Sequence, residues 1–234
     1  MTKITFILAE SALETIPKEI TSDRIVQSFC NKRGKSSKNV LLDQSYHHKA
    51  ILKLEEHQKR GRPDIVHLCL LEATSIPLYF EKKLDVYIHT INDKIINVGS
   101  NVRLPRVYER FVGLIENLYQ KRTVKAEDKL LLKLQDGNLD NLINRIRPSV
   151  TIGLSRVGKT STYEDVAKIG LKFEKPVFIV GGFAKGTFSE KSKRSMNYLL
   201  SVSQYPLDAH VVTARILYEI EKQLKNNYNK QNKR

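Results

Sequence analysis

Tryptophan is absent from this chain, and cysteine nearly so: Cys30 and Cys69 are the only two. Without CxxC spacing, and in mixed or apolar surroundings, they argue against a disulfide scaffold or a thiolate metal site, and each is expected to be a small buried side chain. The histidines do not replace them. His47 and His48 are adjacent and point apart on a helix, while His57, His67, His89 and His210 are scattered, so no metal-ligand spacing emerges and no metal is expected. No Ser/His/Asp or Cys/His grouping can be argued. No apolar run approaches the ~20 residues that span a bilayer. The N-terminal apolar run is too short for an export signal and passes directly into Glu10-Ser-Ala-Leu-Glu, so an intracellular, cytoplasmic protein without membrane attachment is expected. Acidic residues are also scarce: 25 Asp+Glu stand against 40 Lys+Arg, a formal charge of +15. Over 234 residues with 41% hydrophobic content, this describes a globular chain with a real core and a polyanionic partner. The bland alternative is a set of lysines that only keeps the protein in solution.

The periodicity predicts alternating elements. A strand over Ile4 to Leu8 precedes helical spacing through Ile16 and Ile25-Val26, then a basic loop from Asn31 to Lys38. Asp43 is a plausible helix cap, with Ala50, Ile51 and Leu54 on a helix closing near Gly61. Ile65 to Leu71 reads as either a buried strand or a buried helix. The clearest hairpin is Leu84 to Thr90 and Lys94 to Val98 around Asn92-Asp93. Helical spacing resumes from Val107 to Leu118, and an apolar segment from Lys129 to Leu134 turns at Gly137 into a helix over Leu139 to Ile146. The last third alternates: strand Ser149 to Ser155, helix Tyr163 to Ile169, strand Val177 to Val180, strand Leu199 to Val202. A final helix after Pro206 carries Val212, Ile216 and Ile220, and the residues beyond Lys225 form a polar tail. This alternation favours an α/β domain.

Three stretches could carry chemistry. In Val102-Arg-Leu-Pro-Arg-Val-Tyr-Glu-Arg, Pro105 suits a first helical position, and Arg106 and Arg110 at i and i+4 then point one way beside Arg103. Guanidiniums stay charged and offer a flat fork of donors to phosphate and base edges, so this patch is read as an RNA contact. In Gly61-Arg-Pro-Asp, Asp64 can brace Arg62 across a proline; the alternative is an ordinary exposed ion pair. Pro176-Val-Phe-Ile-Val-Gly-Gly-Phe-Ala-Lys-Gly is an apolar strand running into glycines 181, 182 and 186, as parallel strands do where they meet a ligand. It is neither GxGxxG nor a P-loop, which argues against a nucleotide-triphosphate site. Ser201-Val-Ser-Gln-Tyr-Pro-Leu repeats the pattern of a strand end before a helix. Side by side, the two loops would form a pocket of backbone donors and acceptors with apolar cover from Leu207, which suits an adenosine. Each could instead be only a tight turn or a capped helix.

Taken in order, Arg62-Pro-Asp, Val102-Arg-Leu-Pro-Arg with Arg110, Val180-Gly-Gly-Phe-Ala-Lys-Gly and Ser203-Gln-Tyr-Pro-Leu resemble the pseudouridine-N1-specific rRNA methyltransferases of small-subunit ribosome biogenesis, in the SPOUT superfamily. The resemblance runs from about Ile4 to Leu224, and the chain's length fits the archaeal members. It implies an S-adenosylmethionine-dependent homodimer and a single α/β domain over residues 1–224 with a C-terminal trefoil knot. It also implies a family-specific RNA-binding hairpin region over roughly 75–120, with 225–234 as a basic tail. Carried over residue by residue, Arg62, Arg103, Arg106 and Arg110 meet small-subunit rRNA, and Asp64 braces Arg62 or acts as a weak base. Cofactor contacts fall on Leu154, Arg156, Gly181, Gly186, Thr187, Phe188, Leu200, Ser201, Val202, Ser203, Gln204 and Tyr205. Gly182 and Gln204 depart from the usual residues, and Lys185 replaces a histidine of some relatives. Ribosomal assembly proteins are further partners, and the alternative function is an rRNA-binding assembly factor in which methyl transfer is secondary.

Overall fold

The computed structural model describes residues 3–100, 102–126 and 129–231, with side chains to residue 226. Its strands are β1 (Ile4–Ser11), β2 (Leu84–Thr90), β3 (Lys94–Val98), β4 (Thr123–Ala126), β5 (Lys129–Asp136), β6 (Val150–Thr160), β7 (Pro176–Gly181) and β8 (Tyr198–Ser201). They form one sheet in the order β4-β5-β3-β2-β1-β7-β6-β8. From β2 to β8 the neighbours run parallel, and from β2 to β4 they run antiparallel. β1 is buried along its whole length because it is central and covered on both faces, which is why it reads as a continuous apolar run.

The helices are α1 (Arg24–Arg33), α2 (Gln44–Ile51), α3 (Pro63–Thr74), α4 (Pro77–Phe80), α5 (Tyr108–Lys121), α6 (Leu139–Ile146), α7 (Tyr163–Gly170), α8 (Glu190–Arg194) and α9 (Ala209–Gln231). One face of the sheet packs against α3, α5, α7 and α9 through residues such as Phe6, Leu70, Phe111, Val166 and Ile216. The other packs against α6, with Ile7, Ile179 and Phe188 between. A smaller cluster of Ile16, Val26, Leu42 and Ile51 holds α1 and α2 together.

The alternation of the last third stands as expected, and so does the hairpin. Asp93 takes the left-handed conformation at φ 55°, and the Thr90 hydroxyl joins the turn by accepting from the Lys94 amide at 3.0 Å. The hairpin is built into the sheet, since β2 lies parallel beside β1 and β3 continues into β5. The Ile65 to Leu71 ambiguity resolves as helix, with Pro63 in the first turn of α3. Elsewhere the boundaries move. Asn31 to Arg33, expected in a loop, form the last turn of α1, which stops at left-handed Gly34. Asp43 caps α2 through the Ser45 amide, but that helix ends at Ile51, and Leu54 reaches its core from a turn. The tail beyond Lys225 continues α9 to Gln231; residues 232–234 lie outside the described residues.

β6 does more than a straight strand. Its residues Ile152 to Leu154 pair with Tyr198 to Leu200, and Lys159 and Thr160 then pair with Leu200 and Ser201 after a shift in register. Between these contacts the chain passes so close to β8 that a Cβ on Gly158 would lie 2.6 Å from the backbone of Leu199. Only glycine fits there.

Candidate active site

Parallel pairing aligns the carboxyl ends of three strands: Leu154 stands opposite Val180, and Ala9 opposite Gly181. Beyond them the chain turns away in two loops, which wall a cavity of about 300 Å³. That volume is at the lower end for small-molecule sites. One loop runs from Gly181 to Phe188. Its Gly182 amide donates to Ala9 O and its carbonyl accepts from Ala12 N, which pins the turn to the end of β1. A Cβ at Gly182 would stand 2.3 Å from the Ser11 hydroxyl and 2.9 Å from the Leu8 side chain, so packing demands a glycine here. Gly186 has φ 98°, open to glycine alone. The other loop, Ser201 to Leu207, is braced internally: Ser201 Oγ donates to Ser203 O at 3.0 Å, and Ser203 Oγ accepts from Tyr205 N at 2.9 Å.

Of the residues expected at the cofactor, Leu154, Arg156, Gly181, Gly186, Phe188, Ser201, Val202, Ser203 and Tyr205 line this cavity. Thr187, Leu200 and Gln204 do not: Leu200 points into the core, Thr187 is half-buried and Gln204 faces solvent. The periodicity of β8 accounts for Leu200, since alternate side chains of a strand face opposite ways. Sequence reasoning did not assign Phe183, Pro206, Ala209 and Val212, which complete the apolar wall with Leu207. Val212 was legible only as one position on the buried stripe of α9.

The second region gathers around the start of α3. Arg62 Nε and Nη2 donate to the two oxygens of Asp64 at 2.9 and 2.8 Å, the parallel fork expected of a braced guanidinium. The bond to Asp64, helped by the nearby charges of Asp208 and Asp43, outweighs burial and raises the Arg62 pKa above its ordinary value. Asp208, whose charge acts on Arg62, follows Leu207 of the cavity wall.

Arg103, Arg106 and Arg110 are all exposed, but the helix carrying them is shorter than expected. Pro105 does not open α5, which begins at Tyr108 after Val107; Arg106 sits in a bend and only Arg110 lies on the helix. The reason is tertiary. The Pro105 carbonyl lies 2.6 Å from His67 Nε2, positioned to accept the ring N–H, and the Tyr108 hydroxyl is bound to Asp43. His67 also stacks on Phe111, with ring centroids 4.4 Å apart. His67 thus ties the arginine segment to α3 one turn below Arg62. Spacing alone assigns His67 no role beyond that of a scattered histidine, and Asp43 none beyond a helix cap.

The cysteines fit their expected place. Both are buried, and burial pushes the Cys69 thiol up to about 12, where it is not a nucleophile at neutral pH. Among the described residues no group of three or more His, Cys, Asp or Glu side chains could hold a metal ion.

A backbone-rich cleft at the carboxyl edge of a parallel sheet, in a chain that also exposes a group of guanidiniums, is the arrangement of an α/β protein suited to a small ligand and a polyanion. The EMG1/NEP1 methyltransferase family matches this chain over residues 6–221. It is 38% identical over 219 residues to the ribosomal RNA small subunit methyltransferase Nep1 of Pyrococcus furiosus, spanning 94% of this chain and 96% of that one. Its identity with Nep1 of Sulfurisphaera tokodaii is 39% over 225 residues, spanning 95% and 98%. A crystal structure of Archaeoglobus fulgidus Nep1 bound to S-adenosylhomocysteine superposes with a TM-score of 0.84 at 34% identity, covering 95% of this chain and 98% of that one. The chain belongs to the EMG1/NEP1 methyltransferase family.

Proposed function

We propose that this protein transfers a methyl group from S-adenosylmethionine to N1 of a pseudouridine in small-subunit rRNA, as a step in ribosome biogenesis. The observation that carries the reading is a cleft walled by Gly181, Tyr205 and Leu207 in a chain whose Arg62, fixed by Asp64, also feels the charge of Asp208, the residue that follows Leu207. The donor set fits the cofactor: loop backbone for the adenine edge, and Leu154, Phe188 and Leu207 as apolar cover for its ring. The likeness to a Nep1 structure bound to S-adenosylhomocysteine supports the same occupant.

When bound, the cofactor supplies an electrophilic methyl group on a sulfonium. The protein's own residues then have to place the nucleotide in line with it and let the N1 proton leave. Alignment alone lowers such barriers by several kcal/mol, and no strong base is required. Both Asp64 oxygens are committed to Arg62, so its role is to hold Arg62 in one rotamer. Arg103, Arg106 and Arg110 grip the phosphates around the target, while the pseudouridine is turned out of its stem or loop to reach the cleft.

The reading includes a trefoil threading of the C-terminal chain, supported by the way β6 pairs with β8 on both sides of the close approach at Gly158. It includes a homodimer, supported by apolar side chains left exposed on α3, α9 and the cleft loop, among them Leu68, Tyr218 and Tyr205. It places the protein in the cytoplasm with its rRNA and with ribosomal assembly proteins; no described helix is long and apolar enough to cross a membrane. The family-specific segment over residues 75–120 serves the RNA, and the basic end of the chain lies outside the catalytic unit. The test is methyl transfer to matched hairpins containing pseudouridine or uridine. Transfer to the pseudouridine hairpin alone is expected; transfer to both points to another base or ribose. Calorimetric binding of S-adenosylhomocysteine without turnover points to an assembly factor.

A further inference from the structure

Beneath the Gly181 to Ser189 loop lies a buried ion pair that the proposed reaction does not use. Glu10, the last residue but one of β1, takes a left-handed conformation, φ 49°, and its side chain lies under the loop. Its Oε2 accepts from Lys59 Nζ at 2.7 Å, and its Oε1 accepts from both the amide and the hydroxyl of Ser189, at 2.8 and 2.6 Å. Neither side chain is more than a tenth exposed. Such a pair is costly to desolvate and is a weak source of net stability, so its retention calls for another account.

Lys59 comes from the short turn after α2, remote in sequence from both of its neighbours. Its ammonium lies 5.0 Å from the centre of the Phe183 ring, a cation–π contact with a side chain of the cavity wall. Its Cε is 3.5 Å from where a Cβ on Gly186 would stand. The pair therefore grips the loop at two places, Phe183 near its start and Ser189 at its end, with the Lys59 stem passing near Gly186 between them. Burial opposes both charges, but the hydrogen bonds between them and from Ser189 win, holding Glu10 below and Lys59 above their ordinary pKa values. Both stay ionised at neutral pH.

We propose that Lys59 and Glu10 are positioning residues for the cofactor loop, setting its affinity for the adenosyl ligand and leaving the RNA face untouched. This rests on the S-adenosylmethionine reading above. The physical reason is preorganisation: a glycine-rich loop loses much conformational freedom when it closes on a ligand, and a charge network that already holds it reduces that loss.

The experiment is calorimetry with S-adenosylhomocysteine on the full chain, with hairpin binding measured in parallel. Absence of binding by the unaltered protein would overturn the cofactor reading itself. Given that binding, Lys59→Met is expected to weaken the ligand by about tenfold or more, with hairpin affinity held within about twofold. In turnover the loss should appear in KM for the cofactor more than in kcat. Lys59→Arg, which keeps the charge and the donor, should recover most of it. Should Lys59→Met not fold because it strands the Glu10 carboxylate, the double variant Glu10→Gln/Lys59→Met removes the stranded charge and takes its place in the same assay. Unchanged ligand affinity in a folded variant, or an equal loss of hairpin and ligand binding, overturns the proposal.

Discussion

The cleft and the arginine face are held in different ways. The turn that opens the cleft is fixed largely by main chain, with the Glu10–Lys59 pair beneath it: Gly182 bonds to Ala9 and Ala12, and Gly186 occupies a φ of 98°. The arginine face is fixed by side chains: Asp64 on Arg62 locally, and His67 on Pro105 and Asp43 on Tyr108 across the fold. A site held by backbone tolerates changes of side chain but not of volume. One held by side chains fails piecemeal, one contact at a time.

Four variants sharpen that contrast. The largest effect is expected from Gly182→Val, which drives carbon into Ser11 and Leu8; it should cost about 1–3 kcal/mol of unfolding free energy and abolish S-adenosylhomocysteine binding. Calorimetry and urea melts check this, and a stable variant that binds the ligand would mean the turn is not fixed by its backbone. Arg106→Ala comes next. It should weaken hairpin binding by about tenfold at moderate salt and lower the slope of log affinity against log salt by about 1, with cofactor affinity unchanged. Loss of cofactor affinity in this variant would erase the division between the two regions. Tyr108→Phe removes only the hydroxyl that holds α5 to Asp43, and should cost about 1 kcal/mol and a few-fold in hairpin affinity. A loss as large as that of Arg106→Ala would show that the hydroxyl itself meets RNA.

The smallest effect concerns pH. Glu10 has a depressed pKa when folded, so its stabilisation is complete above the ordinary glutamate value of about 4.3 and disappears as pH falls through the folded value. Unfolding free energies of the unaltered protein and Glu10→Gln should therefore differ most near neutrality and converge on acidification. A gap independent of pH would mean that Glu10 acts through packing rather than charge.

Much of the cleft was legible in the chain because its signals are local: an apolar strand ending in glycines, and a second strand end before Pro206. The direction of the Leu200 side chain, into the core, was not legible because alternation along β8 sets it, and that depends on which sheet face is covered. Val212 was hidden because a stripe on a helix does not reveal where the core stops and a cavity begins. On the arginine face the residues could be read but their arrangement could not. Pro105 carries a local signal for a first helical turn, and a hydrogen bond from His67, 38 residues away, overrides it. The Lys59–Glu10 pair left no trace at all, since two charges 49 residues apart have no periodicity to betray them.

The central claim is that one reaction spans two separately held regions, and Arg62→Ala tests it most directly. Methyl transfer to a pseudouridine hairpin at saturating cofactor should fall by about tenfold or more, while affinity for S-adenosylhomocysteine, measured on the same preparation, stays within about twofold. Loss of cofactor affinity together with transfer, or undiminished transfer, would contradict the account.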